Sequence, residues 1–155
     1  THDSKGATLA IIGMGRVGAG AYDALKERHG DCVVGIDFDQ RLIDEHLEAG
    51  RNAIRGNPSE ADFWDNFTLP PKFKWVLITL PLGEMGLEVV DQLRKHDKST
   101  KIAATARYPK DEKILMDAGV DEVFNMYTEA GLSFVQYVMS KNTIEVDNAP
   151  QGKAT

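Results

Sequence analysis

Short apolar runs recur along this chain, separated by longer stretches whose apolar residues fall three or four positions apart. The runs at 9–12, 32–36, 52–55, 75–79, 101–105 and 120–124 read as strands, several of them rich in Val and Ile. Between them lie helical patterns. The first covers 16–28, with Val17, Ala21, Ala24 and Leu25 inward and Gly30 just past its end. The second runs from its cap Asp39 to 49, with Leu42, Ile43 and Leu47 inward and Gly50 as its stop. A third is expected from Asn57 as N-cap, with Pro58 at its first position and Glu60 reaching back, to about Phe67. A fourth opens at Pro81 and Gly83 and carries Met85, Leu87, Val89, Val90 and Leu93. A fifth has Asp111 and Glu112 in its first turn and ends at Gly119, and the last covers 127–139.

Six alternations of strand and helix imply an α/β fold, a doubly wound, parallel, six-stranded, Rossmann-like sheet in the order 3-2-1-4-5-6. Residues 1–6 are polar and read as a disordered lead-in, 7–141 as one domain, and 142–155 as a polar tail. Ligands of such sheets bind at the carboxyl ends of the strands, near the reversal of strand order. Gly13–Gly18, Asp37, Gly56, Asn57, Thr79 and Arg107 all fall on that rim.

Three glycines there have separate mechanical jobs. Gly13, Gly15 and Gly18 form G-x-G-x-x-G between a strand and a helix. The first permits a tight turn, the second lets a pyrophosphate approach the backbone, and the third seats the helix close to the strand. The helix start then offers unpaired N–H groups and the positive end of its dipole. Asp37 closes the next strand 24 positions after Gly13, near the spacing of about 20 for an acid that accepts the ribose hydroxyls. A ribose 2′-phosphate about 4 Å from it would be repelled by ~4 kcal/mol at an effective dielectric of 20, so NADP is disfavoured. Arg16 stands beside the phosphate position; Asn57 and Arg107 stand near the cleft, each with an ordinary structural explanation as well.

Composition removes other classes. A net charge of −6 without a basic run argues against nucleic acid or an anionic membrane surface as partner. Cys32 is the only cysteine and reads as a small core residue. His2, His29, His46 and His96 have no metal-ligand spacing and read as surface residues. The longest apolar run, 75–82, is about half too short to span a bilayer, so a soluble, cytosolic chain is expected. Tyr22/Lys26 and Tyr137/Lys141 match Y-x-x-x-K, but both pairs sit on helices unsuited to catalysis. No His near a strand end has a supporting carboxylate, so no catalysis is expected.

The strand ends I-I-G-M-G-R-V-G, V-V-G-I-D-F-D, A-I-R-G-N-P-S-E, W-V-L-I-T-L-P, K-I-A-A-T-A-R and D-A-G-V-D-E-V-F resemble those of the RCK (TrkA-N) domain over about residues 8–140. The resemblance implies a regulatory domain that controls a potassium channel or transporter by binding an adenine nucleotide, AMP or NAD(H). It implies a nucleotide site made of Gly13, Met14, Gly15, Arg16, Val17, Gly18, Asp37, Phe38, Asp39, Gly56, Asn57, Thr79 and Leu80. The family usually has Gly-Asp where this chain has Gly56-Asn57. The chain looks most like the cytosolic domain of a Kef-type potassium-efflux antiporter, at the inner face of the membrane. In that branch an arginine-rich segment near strand five helps bind glutathione; here Arg107 stands there alone, followed by Tyr108-Pro109. The alternative function is the cofactor half of an NAD-dependent oxidoreductase.

The last helix adds a partner. One stripe carries Leu132, Val135 and Met139, another Tyr127, Ala130, Phe134 and Val138, with Tyr137 between them. A helix apolar nearly all round must be buried on both sides. A homodimer through this helix is therefore expected.

Overall fold

In the computed structural model, which describes residues 1–80 and 85–142, six strands and six helices alternate. The strands are β1 (Leu9–Ile12), β2 (Val33–Asp37), β3 (Ala53–Arg55), β4 (Trp75–Ile78), β5 (Lys101–Ala106) and β6 (Glu122–Asn125). The helices are α1 (Arg16–His29), α2 (Gln40–Glu48), α3 (Ala61–Asp65), α4 (Leu87–His96), α5 (Pro109–Asp117) and α6 (Met126–Lys141). All strand pairs are parallel, in the order β3-β2-β1-β4-β5-β6, as the alternation predicts. Ile12 lies beside both Ile36 and Ile78, so the carboxyl ends of β1, β2 and β4 finish level and form one rim. The expected helix opening at Pro81 and Gly83, and all of the polar tail after Asn142, lie outside the described residues.

β2 is buried at every position, which its continuous apolar run demands of a strand covered on both faces. On one face Ala10, Ile12, Val34, Ile36, Val76 and Ile78 pack with Phe63 and Trp64 of α3, Val89, Val90 and Leu93 of α4, and Leu115 of α5. On the other, Ile11 and Val33 pack with Met14 and with Tyr22 of α1. That second face is thinly covered over β4–β6. Trp75, Leu77, Ala103 and Thr105 are half-buried, and Phe124 is exposed.

Several local expectations are corrected. α1 turns the stripe Gly18, Ala21, Tyr22 and Leu25 to the sheet, leaving Val17 and Ala24 exposed, because only Gly18 can approach the β1 turn closely. On α2 the inward pair is Ile43 and His46; Leu47 is exposed, and His46 is not a surface residue. α3 begins only at Ala61, and Asn57 Oδ1, which accepts from the Ser59 N–H (3.0 Å) and hydroxyl (2.6 Å), closes a turn ahead of it. Cys32 stands just before β2 and is half-buried. Residues 1–6, expected to be disordered, are fastened: His2 N–H donates to Asn66 O (2.6 Å), Thr68 N–H to His2 O (2.8 Å), and the His2 ring packs on Phe63 and Phe67. No helix among the described residues is long and apolar enough to cross a membrane.

α6 is the exception to the packing. Asn125 caps it, accepting from Thr128 N–H at 3.2 Å, yet none of its 16 residues is buried. Phe134 is 68% exposed, and Leu132, Val135, Tyr137 and Met139 are all more than half exposed.

Candidate nucleotide-binding site

The rim opens into a cleft of about 480 Å³ between the β1–α1 turn and the ends of β2, β4 and β5. That volume lies within the range of small-molecule sites, about 300–1,000 Å³. The turn itself is built on glycine geometry. Gly13 has φ +96°, and a Cβ there would lie 2.6 Å from Thr79 Oγ1. A Cβ on Gly18 would overlap the Gly13 carbonyl oxygen, so the third glycine seats α1 against the turn as the motif requires. Gly15 has open space where its side chain would be. It precedes α1 with no side-chain cap, and no acidic residue occupies the first turn. The N–H groups at the start of α1 therefore face the cleft with no intramolecular competitor among the described residues.

Asp37 anchors the other side. It is 7% exposed, and both carboxylate oxygens are engaged: Oδ2 accepts from Met14 N–H at 2.8 Å and Oδ1 from Asp39 N–H at 2.9 Å. A carboxylate has about four acceptor positions, so two bonds leave capacity for ribose hydroxyls. Asp39 in turn caps α2, accepting from Arg41 N–H at 2.9 Å. Gly56 N–H donates to Asp37 O at 2.9 Å, which ties β3 to the same corner. Thr79, at the end of β4, donates its hydroxyl to Gly13 O at 2.7 Å.

Ten of the thirteen residues expected at the site line the cleft: Gly13, Gly15, Arg16, Val17, Gly18, Asp37, Phe38, Asp39, Thr79 and Leu80. Met14, Gly56 and Asn57 do not. The Met14 side chain is buried beneath the turn, where a Cβ on Gly35 would lie 2.6 Å from its sulfur, so Gly35 makes its room. Asn57 is held in its own turn with Ser59. Leu42 and Arg107 complete the lining. Arg16 and Arg107 bring positive charge to a cleft whose carboxylates, Asp37 and Asp39, belong to β2 and the α2 cap.

Beneath the turn is a polar chain that sequence reading missed. His46 Nε2 lies 2.7 Å from Met14 O, and His46 Nδ1 lies 3.3 Å from Arg51 Nη1. Arg51 makes a two-point pair with Asp23, at 2.9 and 2.8 Å. The hydrogen bond from Arg51 holds the Asp23 carboxyl below its usual value and raises Arg51 in return. The available signal was the spacing of His46, three positions after Ile43 on the inward stripe of α2. Among the described residues no cluster of His, Cys, Asp and Glu could hold a metal ion. The lining has groups suited to phosphate and hydroxyl recognition and, among the described residues, pairs no nucleophile with a base.

Residues 9–126 match the TrkA-N domain. The chain is 27% identical over 113 residues to the putative cation/proton antiporter YbaL of Escherichia coli K12, covering 73% of this chain and 20% of that protein's length. The TrkA-N domain of E. coli YbaL superposes with a TM-score of 0.71 at 22% identity, covering 84% of this chain and 95% of that one. The NAD(P)-binding domain of an exopolyphosphatase-related protein from Archaeoglobus fulgidus gives 0.77 at 20% identity, covering 86% and 98%. The Kef CTD of Shewanella denitrificans in its AMP-bound form gives 0.63 at 18% identity, covering 87% and 82%. The glycine turn, the acid at the end of β2 and the whole of the sheet fall inside the matched segment, and the chain belongs to the TrkA-N domain family.

Proposed function

We propose that this chain is the regulatory nucleotide-binding domain of a cation transporter, potassium being the ion that the family resemblance implies, and that it performs no catalysis of its own. The observation that carries the reading is the pairing of an uncapped α1 start with a buried carboxylate across one cleft. The first suits a phosphate and the second a ribose. AMP or NAD(H) is the ligand, held by Gly13, Gly15, Arg16, Val17 and Gly18 at the phosphate end and by Asp37, Phe38 and Asp39 at the nucleoside end. NADP is disfavoured by the Asp37 carboxylate. The AMP-bound Kef CTD and the NAD(P)-binding domain from A. fulgidus support a nucleotide of this class. Likeness to YbaL, a putative cation/proton antiporter of which this chain spans a fifth, supports a transporter portion as partner, with the domain at the inner face of the membrane.

The same reading includes a homodimer through α6. That helix is unburied along its length, and the β4–β6 face bearing Trp75, Leu77 and Phe124 is incompletely covered, so a second copy can bury both apolar surfaces. Mass spectrometry of the small molecules released from the purified domain tests the ligand: AMP or NAD(H) supports the reading, and NADP as the dominant species removes the Asp37 assignment.

A further inference from the structure

Met14 joins two peptide units, and the surrounding groups hold them differently. The 13–14 unit is fixed at both ends: Met14 N–H donates to Asp37 Oδ2 and Gly13 O accepts from Thr79 Oγ1. The 14–15 unit is held at one end. Its carbonyl, Met14 O, is 2.7 Å from His46 Nε2. Its N–H, on Gly15, has no protein acceptor among the described residues. The bond is trans, so the carbonyl and N–H point in opposite directions. Drawing Met14 O inward toward α2 turns the Gly15 N–H outward, to the cleft.

The state of the ring follows from its neighbours. A guanidinium only donates, so His46 Nδ1 accepts from Arg51 Nη1, and Nε2 carries the proton given to Met14 O. Arg51 is itself fixed by Asp23 of α1. Groups on α1, on α2 and just after α2 thus converge on one carbonyl. An apolar side chain would fill the same space but leave that buried oxygen unpaired.

We infer that His46 is a positioning residue for the nucleotide's phosphate, aiming the Gly15 N–H into the cleft through the Met14–Gly15 peptide; this rests on the nucleotide-binding reading above. The test combines AMP titration with amide NMR of the unmodified domain, His46→Leu and His46→Gln. In the unmodified domain AMP should move the Gly15 amide resonance downfield. His46→Leu should lose roughly tenfold in AMP affinity, the scale of one hydrogen bond with its acceptor left unpaired, and much of that Gly15 shift. His46→Gln, whose amide N–H can reach Met14 O, should recover most of both. Equal AMP affinity in all three proteins, or no recovery by Gln, overturns the inference. So does a Gly15 amide that AMP leaves unmoved in the unmodified domain, which decides the matter even where a variant fails to fold. An unmodified domain that binds neither AMP nor NAD overturns the nucleotide reading itself, a result distinct from binding that is indifferent to His46.

Discussion

Asp37 Oδ2 accepts the Met14 backbone N–H at 2.8 Å, so the carboxylate at the end of β2 holds the glycine turn that follows β1. The acid that the G-x-G-x-x-G spacing marks as a ribose ligand is therefore also a structural member of the glycine turn. Two effects follow from its removal. Asp37→Ala should weaken AMP or NAD by ~1–3 kcal/mol and should also destabilise the fold by about 1–3 kcal/mol, because the buried Met14 N–H and the part-buried Asp39 N–H lose their acceptor. Calorimetry and thermal melting measure the two separately. A stability loss with unchanged affinity would reduce Asp37 to a scaffold residue.

The glycines should separate in the same way. Gly15 has φ −72° and open space at its Cβ position, so Gly15→Val should fold normally and abolish AMP binding. Gly18→Ala forces a methyl into the Gly13 carbonyl and should cost stability by about 1–3 kcal/mol before any ligand is added. Circular dichroism melts beside AMP titrations distinguish them; a Gly15→Val domain that still binds AMP contradicts the loop's role.

Much of this was legible in the sequence because it is local. The strand–helix alternation dictates the sheet order, and the glycine turn and Asp37 lie at the ends of adjacent strands whose runs are unmistakable. The illegible parts depend on contacts between distant residues or on competing local bonds. His46 meets Met14 across 32 positions and Arg51 meets Asp23 across 28, and neither pairing leaves a periodic mark. Asn57 has the right identity for a helix cap and bonds Ser59, but the turn it closes ends before α3, which starts at Ala61. The lead-in is too polar to read as packed; its one aromatic ring, His2, finds Phe63 and Phe67.

Acid should loosen the β5–β6 edge. Asp121 Oδ2 accepts from Ile102 N–H at 2.8 Å and from Arg94 at 3.0 Å. The backbone bond first, then Arg94 and Lys101, hold its carboxyl below the usual 3.8. A depressed folded-state value stabilises above the unfolded value and is lost as pH falls through the folded one. Asp121→Ala should therefore be less stable than the unmodified domain at pH 7 by about 1–2 kcal/mol. The gap should narrow as pH drops below 3.8. Denaturant melts across that range check it; a gap independent of pH would mean the charge plays no part.

The dimer has its own test. Replacing the exposed Phe134 and the half-buried Val138 with Glu puts charge on the apolar stripe of α6 and should yield monomers at tens of micromolar by sedimentation velocity, with an unchanged circular dichroism spectrum. An unmodified domain that already sediments as a monomer at that concentration removes the homodimer from the account.

Nucleotide recognition by the Gly13–Gly18 turn and Asp37 is best tested by calorimetric titration of the unmodified domain with AMP, NAD and NADP under one buffer condition. Saturable binding of AMP or NAD, with NADP at least about tenfold weaker from repulsion at the Asp37 carboxylate, is the predicted result; no binding of any of the three, or NADP the tightest, would contradict it.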